Sequence, residues 1–345
     1  MVTVLIILLL IVVLVVIFEL GLRWWLGFGN PLVYVSDDQI GYLLAPNQAT
    51  RRFGNRIRIN QYSMRGEDIE VPRPGSTLRI LLLGDSIANG GWWTDQEQTI
   101  SARLQTHLQQ QLQSKAAQGV VDQVEVLNAS ANSWGPRNEL AYLQKFGHFE
   151  AQAIILLLNT DDLFATAPSA APVGLDRNYP DRKPPIAIAE LYSRYLQKPT
   201  KLGALRALQE EGDRVGANLQ AIQHIRALAH TSHALFVLAM TPLLRELGES
   251  GPRDYEQHAR QRLIELTQME RIPYLDFLPV FNQVESPNSL YSDHIHLTPD
   301  GNERLSQSIA ELLAQLQGLS AVQPGLHSGS SSPDSGLPAS DSSAN

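Results

Sequence analysis

A serine, an aspartate and a histidine stand where the chain could build a nucleophilic site. Ser86 ends the tripeptide GDS directly after the apolar run 78–83, and Asp293 and His296 lie three residues apart near the other end of the chain. A serine hydroxyl is a weak nucleophile at neutral pH, and it needs a base that is held in one orientation by an acid. Ser86, His296 and Asp293 could take these three roles, which would make the chemistry acyl transfer through an acyl-serine.

Other interpretations remain open at each of these positions. His294 is a second candidate base, although a ring directly beside Asp293 folds back onto that carboxylate less easily. A specified tripeptide and an Asp-x-x-His spacing both arise by chance in a chain of this length. Ser86 could be the N-cap of an ordinary helix, and 293–296 a surface loop. The secondary structure around these residues distinguishes a nucleophilic site from an ordinary helix cap and a surface loop.

Those elements alternate between strands and helices. Apolar runs of the length of buried strands alternate with segments whose apolar residues recur at helical spacing. This alternation favours parallel pairing with right-handed crossovers, and so a three-layer α/β/α sandwich around a five-stranded parallel sheet. The predicted strands are 78–83, 124–127, 153–158, 234–240 and 273–277, and the predicted helices are 96–113, 139–149, 218–230, 255–270 and 302–316.

This topology would bring the three candidate residues together. In an open α/β sheet, ligands and chemistry collect at the carboxyl edge of the strands. Ser86 would lie at that edge, and the last helix would return Asp293 and His296 to it. Insertions at 165–201 and 241–254 would cross the same edge, where long loops build a substrate pocket or a lid.

The amino-terminal segment, residues 1–27, is predicted to be a membrane anchor. Positions 2–18 contain one polar residue, Thr3, and as a helix they would span about 25 Å. A buried helix and a cleaved signal peptide are the alternatives, but there is no basic n-region and no A-x-A-like site. We therefore expect an uncleaved single span. Arg23, just after it, weakly favours a cytoplasmic carboxyl side.

Three further segments follow the anchor. Residues 28–76 form a predicted β-rich lead-in with a local basic patch, interpreted as a solvated strand face or as a contact for anionic headgroups or an anionic substrate. Residues 77–317 form the main domain, and the Ser/Gly/Pro-rich tail 318–345 is predicted to be disordered. The basic residues of the lead-in are Arg51, Arg52, Arg56, Arg58 and Arg65.

Composition excludes several classes of function. The formal net charge is −8, so there is no basic surface for a phosphate backbone and nucleic acid is not an expected partner. The chain has no cysteine, which excludes disulfides, a thiolate nucleophile and cysteine-ligated metals.

Four blocks of the sequence resemble the SGNH/GDSL hydrolases. They are the GDS tripeptide, Asn128-Ala129-Ser130 with the turn after it, the Asn/Asp-rich turn 159–162, and D-x-x-H-L-x-P-x-G from Asp293, together covering about 78–316. The resemblance implies a flavodoxin-like sandwich, ester hydrolysis or acyl transfer by Ser86, Asp293 and His296, and no metal or organic cofactor. The element NQYSMRG (60–66) resembles the membrane-anchored bacterial members, which implies a periplasmic catalytic domain.

The same family pattern implies an oxyanion hole with two departures. Ser133 stands where the family has a glycine that donates its backbone N–H, and Gly135 follows two residues later. Asp161 stands where the family has an asparagine amide, and an ionised carboxylate would repel the developing oxyanion. Three solutions are open: Asp161 is protonated, Asn159 reaches in, or backbone N–H groups of Ser86 and the 133–135 turn suffice.

Three functions follow from these observations. The first is a membrane-anchored serine esterase acting on an acyl ester, such as an acetylated polysaccharide or a lipid-like ester. The second is an envelope polysaccharide O-acyltransferase that uses the same acyl-serine. The third is a catalytically impaired binding module, and it is motivated by Asp161.

Overall fold

The computed structural model describes residues 1–114, 121–197 and 210–321 of the chain. The strands are β1 (Tyr34–Asp37), β2 (Gly41–Leu44), β3 (Gln48–Arg52), β4 (Asn55–Ile59), β5 (Thr77–Gly84), β6 (Gln123–Ser130), β7 (Ala153–Asn159), β8 (Leu235–Thr241) and β9 (Tyr274–Asp276). The helices are α1 (Val2–Gly21), α2 (Ser86–Asn89), α3 (Ile100–Ser114), α4 (Pro136–Phe146), α5 (Ala187–Leu191), α6 (Arg214–Thr231), α7 (Asp254–Met269), α8 (Phe277–Asn282) and α9 (Pro299–Ala321).

The five strands β5 to β9 form one parallel sheet in the order β6-β5-β7-β8-β9. Its two faces carry separate apolar clusters, one packed with α4, α6 and α7 and the other with α3, α8 and α9. The predicted five-stranded parallel sheet and three-layer sandwich are therefore confirmed. All five predicted helices of the sandwich are present, with ends shifted by up to five residues.

The register of the central strands sets the level of the candidate site. Gly84, the last residue of β5, lies opposite Ser130 on one side and Leu157 on the other. Three strands therefore end at nearly the same height, because parallel strands in register share their carboxyl edge. The turns after β5, β6 and β7 emerge together there.

The lead-in consists of two antiparallel hairpins, β1-β2 and β3-β4, which pack onto the sandwich. Tyr42, Leu44, Ile57 and Ile59 belong to the same buried cluster as the sheet face beside α4. Two of the five lead-in arginines do not belong to the predicted solvated basic face. Arg52 and Arg65 are buried, because an ion pair with Glu190 and backbone carbonyl groups satisfy their guanidinium groups.

Two more lead-in arginines are paired with acids. Arg56 pairs with Asp95 and Glu97, and Arg58 pairs with Glu67 and Asp68. Their positive charge is largely compensated locally, so the lead-in offers less attraction to anions than its sequence suggested.

Helix α1 is apolar along its whole length and continues into a π-helical turn at Leu22–Leu26. Over these 25 residues the mean hydropathy of the most apolar window is 3.4, and none of that window is buried. The helix is long and apolar enough to be a membrane anchor or a signal sequence.

The end of the main domain differs slightly from its predicted boundary. Helix α9 runs to Ala321, four residues past the predicted end of the domain at 317. The remainder of the predicted disordered tail, 322–345, lies outside the described residues. The insertion 165–201 is described as far as 197, and it contains α5 and a π-helical turn at Tyr192–Leu196.

Candidate active site

Ser86 is placed by the tight turn between β5 and α2. Asp85 caps this four-residue helix, since its carboxylate accepts a hydrogen bond of 2.8 Å from the Ile87 N–H. Gly84 is needed for the close approach of the chain, because a Cβ there would lie 2.8 Å from the Ala88 side chain and 2.9 Å from the Leu157 carbonyl oxygen. The N-cap of this turn is thus Asp85 rather than Ser86, and the Ser86 hydroxyl lies 3.3 Å from the other Asp85 oxygen.

Asp293 and His296 reach Ser86 from the loop before α9. The His296 Nε2 atom lies 2.9 Å from Ser86 Oγ, and His296 Nδ1 lies 2.7 Å from Asp293 Oδ2. The other oxygen of Asp293 accepts from the N–H groups of Ile295 and His296 at 2.9 and 2.8 Å. This Asx-type turn fixes the aspartate before its histidine, so the local sequence itself builds the acid–base pair.

The electrostatics of Asp293 set the tautomer of His296. Burial acts to raise the pKa of Asp293, but the hydrogen bonds from the His296 ring and from two backbone N–H groups outweigh it and hold the pKa below its ordinary value. An ionised carboxylate can only accept, so Nδ1 of His296 carries the hydrogen. Its Nε2 atom is then the acceptor for the Ser86 hydroxyl.

His294, the rival base, points away from the serine. Its side chain is 79% exposed, and its Nδ1 atom is 3.8 Å from Asp293 Oδ1. Its backbone carbonyl is fixed by the Leu244 N–H at 3.0 Å. Of the two histidines, only His296 hydrogen-bonds to Ser86 Oγ, and the other contact of that hydroxyl is a longer one of 3.3 Å to Asp85 Oδ2.

The turn after β6 brings Ser133 next to Ser86. Ser133 has a left-handed backbone with φ of 57°, a conformation that glycine adopts at a lower free-energy cost than serine does. Its Oγ accepts from the Tyr179 hydroxyl at 2.9 Å, and the Tyr42 hydroxyl donates to the neighbouring Asn132 carbonyl at 2.6 Å. No residue that the structure describes accepts from the Ser133 N–H, so this donor is available.

Two of the predicted oxyanion donors are committed elsewhere. Both amide hydrogens of Asn159 are used, because Nδ2 lies 2.9 Å from Asp85 Oδ2 and 2.9 Å from Asp162 Oδ2. The Gly135 N–H caps α4 by donating to the Asn138 side chain at 3.1 Å. The expectation that Asn159 and Gly135 point donors at the oxyanion is therefore not met, because the Asn159 amide binds two carboxyl groups and the Gly135 N–H caps α4.

Asp161 lies in the turn that follows β7, two residues after Asn159. It is exposed, and its N–H donates to Asn159 Oδ1 at 2.7 Å. Although the residue reaches solvent, reduced hydration of its carboxyl raises the pKa of that group, and the nearby charge of Arg245 counteracts the rise. The structure thus places a titratable carboxyl, rather than an amide donor, on this side.

Comparison with known proteins gives the family. The model of the GDSL-like lipase/acylhydrolase family matches residues 82–304, which is well over half of the chain and includes Ser86, Asp293 and His296. The chain belongs to this family. A search of curated protein sequences found no significant match.

Solved structures of GDSL-type and other esterases resemble the chain at low identity. An acetylxylan esterase from Geobacillus stearothermophilus is 12% identical with a TM-score of 0.45, over 68% of this chain and 93% of its own. A psychrotrophic esterase from Pseudoalteromonas is 13% identical with a TM-score of 0.40, over 70% and 99%.

A cavity of about 250 Å³ opens beside Ser86 and His296 in this GDSL-like domain. Its walls come from four places that are far apart in the sequence: the lead-in, the loop after α2, the 132–133 turn and the insertion. A larger groove of about 830 Å³ lies between the β3-β4 hairpin and α3 and does not reach the triad. Residues of the smaller cavity include Leu32, Arg52, Trp92, Trp93, Ser133, Tyr179 and Arg194.

The aromatic residues that shape this cavity, such as Trp93, had no predicted role from the sequence. The Trp93 ring packs against His296 with 4.2 Å between ring centroids. Buried Arg65 holds the loop that carries Trp93, since its guanidinium donates to the carbonyl groups of Asn89 at 3.0 Å and Thr94 at 2.7 Å. The only sequence signal for this role was the position of Arg65 in the NQYSMRG element.

Three buried carboxyl groups lie behind the nucleophile. Burial raises the pKa of Asp85, Asp162 and Glu139, and the proximity of the groups to one another adds to the rise for Asp162 and Glu139. Neither carboxyl oxygen of Glu139 has a hydrogen-bond partner among the described residues. Burial therefore disfavours the charged form of these three groups.

Proposed function

We propose that this protein is a membrane-anchored serine esterase that cleaves an acyl ester through an acyl-serine at Ser86. The observation that carries the proposal is the continuous hydrogen-bonded path from Ser86 Oγ to His296, at 2.9 Å, and from His296 to Asp293, at 2.7 Å. Membership of the GDSL-like acylhydrolase family supports ester hydrolysis as the reaction class.

The proposed reaction has two halves. His296 Nε2 takes the Ser86 hydroxyl proton while Oγ bonds to the ester carbonyl carbon, and the carbonyl electron pair moves onto the oxygen. Collapse of this intermediate breaks the ester C–O bond, and the leaving alkoxide receives the proton from His296. Water then attacks the acyl-serine in the same way, which releases the carboxylic acid and restores Ser86.

Asp293 positions the general base, His296. Its carboxylate stabilises the imidazolium that forms on His296, and the two backbone N–H groups on its second oxygen keep it ionised and oriented. Because these contacts lie within four consecutive residues, the pair moves as one unit.

The proposed oxyanion hole consists of backbone donors. The Ser86 N–H is at the first position of α2, beside the Asp85 carboxylate and without an intrahelical acceptor. Ser133 lines the same cavity, and its N–H has no acceptor in the described structure. Each donor in such a site contributes about 3 kcal/mol to the transition state. This arrangement needs neither the Asn159 amide nor protonation of Asp161.

Contacts between the amino-terminal helix and the rest of the protein support the proposal that the helix is retained as an anchor. Leu22 is buried against Ala187, and the Glu19 carboxylate accepts from the N–H groups of Ala187 and Ile188 at 2.7 and 2.9 Å. Cleavage after Leu22 would remove these contacts from the folded domain, which argues for a retained helix. We propose that the catalytic domain lies on the extracytoplasmic side, as the family resemblance implies, against the weak charge signal of Arg23.

Hydrolysis of a chromogenic acetyl ester tests the proposal, with the full chain in detergent and Ser86→Ala as the matched control. The esterase proposal requires turnover in wild type that is lost in the variant. Adding an acceptor glycan separates the two enzyme functions, because an acyltransferase would transfer acetyl to the glycan faster than to water. Absence of any turnover in wild type would contradict both and favour a binding module.

A further inference from the structure

The insertion carries a short helix with an exposed apolar side. Residues 187–196 form α5 and the π-helical turn after it, with Ala187 and Glu190 buried against the rest of the protein. Tyr192, Tyr195 and Leu196 are 57, 62 and 71% exposed. Large apolar side chains grouped at a spacing of three and four residues on a surface helix indicate an interaction surface.

This helix begins at the level where the apolar anchor ends. The Ala187 and Ile188 N–H groups donate to the Glu19 carboxylate, and Glu19 lies in the last turn of α1. The first turn of α5 therefore lies beside the last turn of α1. Trp24 and Trp25 follow in the π-helical turn and are both largely exposed. Tyrosine and tryptophan concentrate at the headgroup level of membranes, because their rings are apolar and their tips are polar.

We propose that Trp24, Trp25, Tyr192, Tyr195 and Leu196 form an interfacial face, which rests in the headgroup layer of the same bilayer that α1 crosses. The occupant is the lipid surface rather than a protein, because the face is continuous with the end of the anchor and the anchor holds it at that depth. This inference rests on the proposed membrane anchor. It adds a second, peripheral attachment that fixes how the catalytic domain is oriented on the membrane.

The orientation matters because aromatic rings connect the interfacial face to the candidate site. Phe53 and Trp92, which are both exposed, lie in the middle of this connection. The successive ring-centroid distances are 6.3 Å for Tyr195–Phe28, 6.0 Å for Phe28–Phe53, 5.3 Å for Phe53–Trp92, 5.7 Å for Trp92–Trp93 and 4.2 Å for Trp93–His296. A substrate whose apolar part remains in the bilayer would find an apolar wall leading to Ser86. The substrate class is therefore an amphiphilic ester carried in the membrane.

The absence of cysteine from the sequence makes a direct test simple. Single variants Tyr195→Cys and Leu196→Cys of the full chain are labelled with a bimane fluorophore and reconstituted in phospholipid nanodiscs. Quenching by lipids brominated near the headgroup then reports contact with the interface. Leu10→Cys reports the anchor, with lipids brominated along the acyl chain as its quencher. Met269→Cys is the matched control, since this exposed residue ends α7 before β9, at the opposite edge of the sheet.

The inference predicts quenching at positions 195 and 196 that is at least about threefold stronger than at 269. Quenching at position 10, combined with none above control at 195 and 196, would overturn the interfacial face while leaving the anchor intact. No quenching at position 10 would show that the anchor itself is wrong, and the inference would fall with it.

A second measurement tests the substrate class. In the variant Tyr192→Ser/Tyr195→Ser/Leu196→Ser, the ratio of kcat/KM for a long-chain ester in the nanodisc to kcat/KM for a soluble acetyl ester should fall about tenfold, because less apolar surface meets the membrane. An unchanged ratio would overturn the role of this surface in substrate delivery.

Discussion

The two sides of the candidate site are built in different ways. On the nucleophile side, Asp293 and His296 are joined by hydrogen bonds within four consecutive residues, and Ser86 sits at the end of the central strand. On the oxyanion side, the 132–133 turn is held by hydroxyl groups of Tyr42 and Tyr179, which come from the lead-in and the insertion. The acid–base pair makes its hydrogen bonds within one loop, whereas the hydrogen bonds that hold the oxyanion turn come from segments outside the sandwich.

This difference shows where the domain tolerates change. The hydrogen bonds of the acid–base pair lie within its own loop, and the Trp93 ring packs against His296 from the loop after α2. The oxyanion turn depends on a left-handed serine and on a tyrosine 46 residues away in sequence. Sequence changes in the lead-in or the insertion should therefore affect the stabilisation of the oxyanion before they affect the nucleophile.

The largest expected effect is on the nucleophile side. His296→Ala removes the general base, and it should lower kcat for a soluble ester by about 10⁴-fold or more. His294→Ala is the matched control in the same loop, and its exposed ring predicts a rate within about twofold of wild type. If His294→Ala were the more damaging change, the assignment of His296 as the base would be wrong.

An intermediate effect is expected at Asp161. Above its raised pKa this carboxyl is ionised and repels the developing oxyanion, whereas below that pKa it is neutral. Asp161→Asn should therefore raise kcat/KM at neutral pH by about tenfold, with solvent screening limiting the gain. The ratio of variant to wild type should rise with pH and level off once Asp161 is fully ionised.

The charge and the amide can be separated with a second variant. Asp161→Ala removes the charge and adds no donor, so a pH–rate profile of both variants shows which property matters. Arg245, Glu256 and His294 also carry or acquire charge near this carboxyl, and they are the same in all three proteins. An unchanged or lower rate of Asp161→Asn at neutral pH would count against this account.

The smallest expected effect is at the tyrosine that holds the oxyanion turn. Tyr179→Phe deletes the hydroxyl that donates to Ser133 Oγ, and it should lower kcat by about threefold because the turn is less well held. Tyr34→Phe is the matched control, because Tyr34 belongs to the same aromatic cluster. Its hydroxyl makes no hydrogen bond to the turn in the described structure, unlike that of Tyr179. Equal losses in the two variants would indicate a general packing effect instead.

The sequence predicted the parts of the molecule that follow from periodicity and local spacing. Apolar runs located all five strands of the sheet, and the strand-end position of Ser86 and the spacing of Asp293 and His296 indicated the candidate triad. Local periodicity was informative because buried parallel strands and surface helices differ strongly in pattern.

The parts that were missed depend on contacts between distant segments. Asn159 was an expected donor, but two carboxyl oxygens, one of them from the turn after β5, occupy its amide. Arg52 and Arg65 looked like a solvated basic face because their buried partners, Glu190 and the carbonyl groups of the 89–94 loop, lie elsewhere in the chain. The same holds for the aromatic run from Tyr195 to Trp93, since its members come from three separate segments.

Covalent labelling tests the central claim most directly. An active-site fluorophosphonate, followed by intact mass and peptide mapping, reports which serine is activated and by which histidine. We predict one adduct per chain on the peptide that contains Ser86, none in Ser86→Ala, and labelling slowed at least a hundredfold in His296→Ala but not in His294→Ala. Equal labelling of wild type and Ser86→Ala, or no labelling of wild type, would contradict the account.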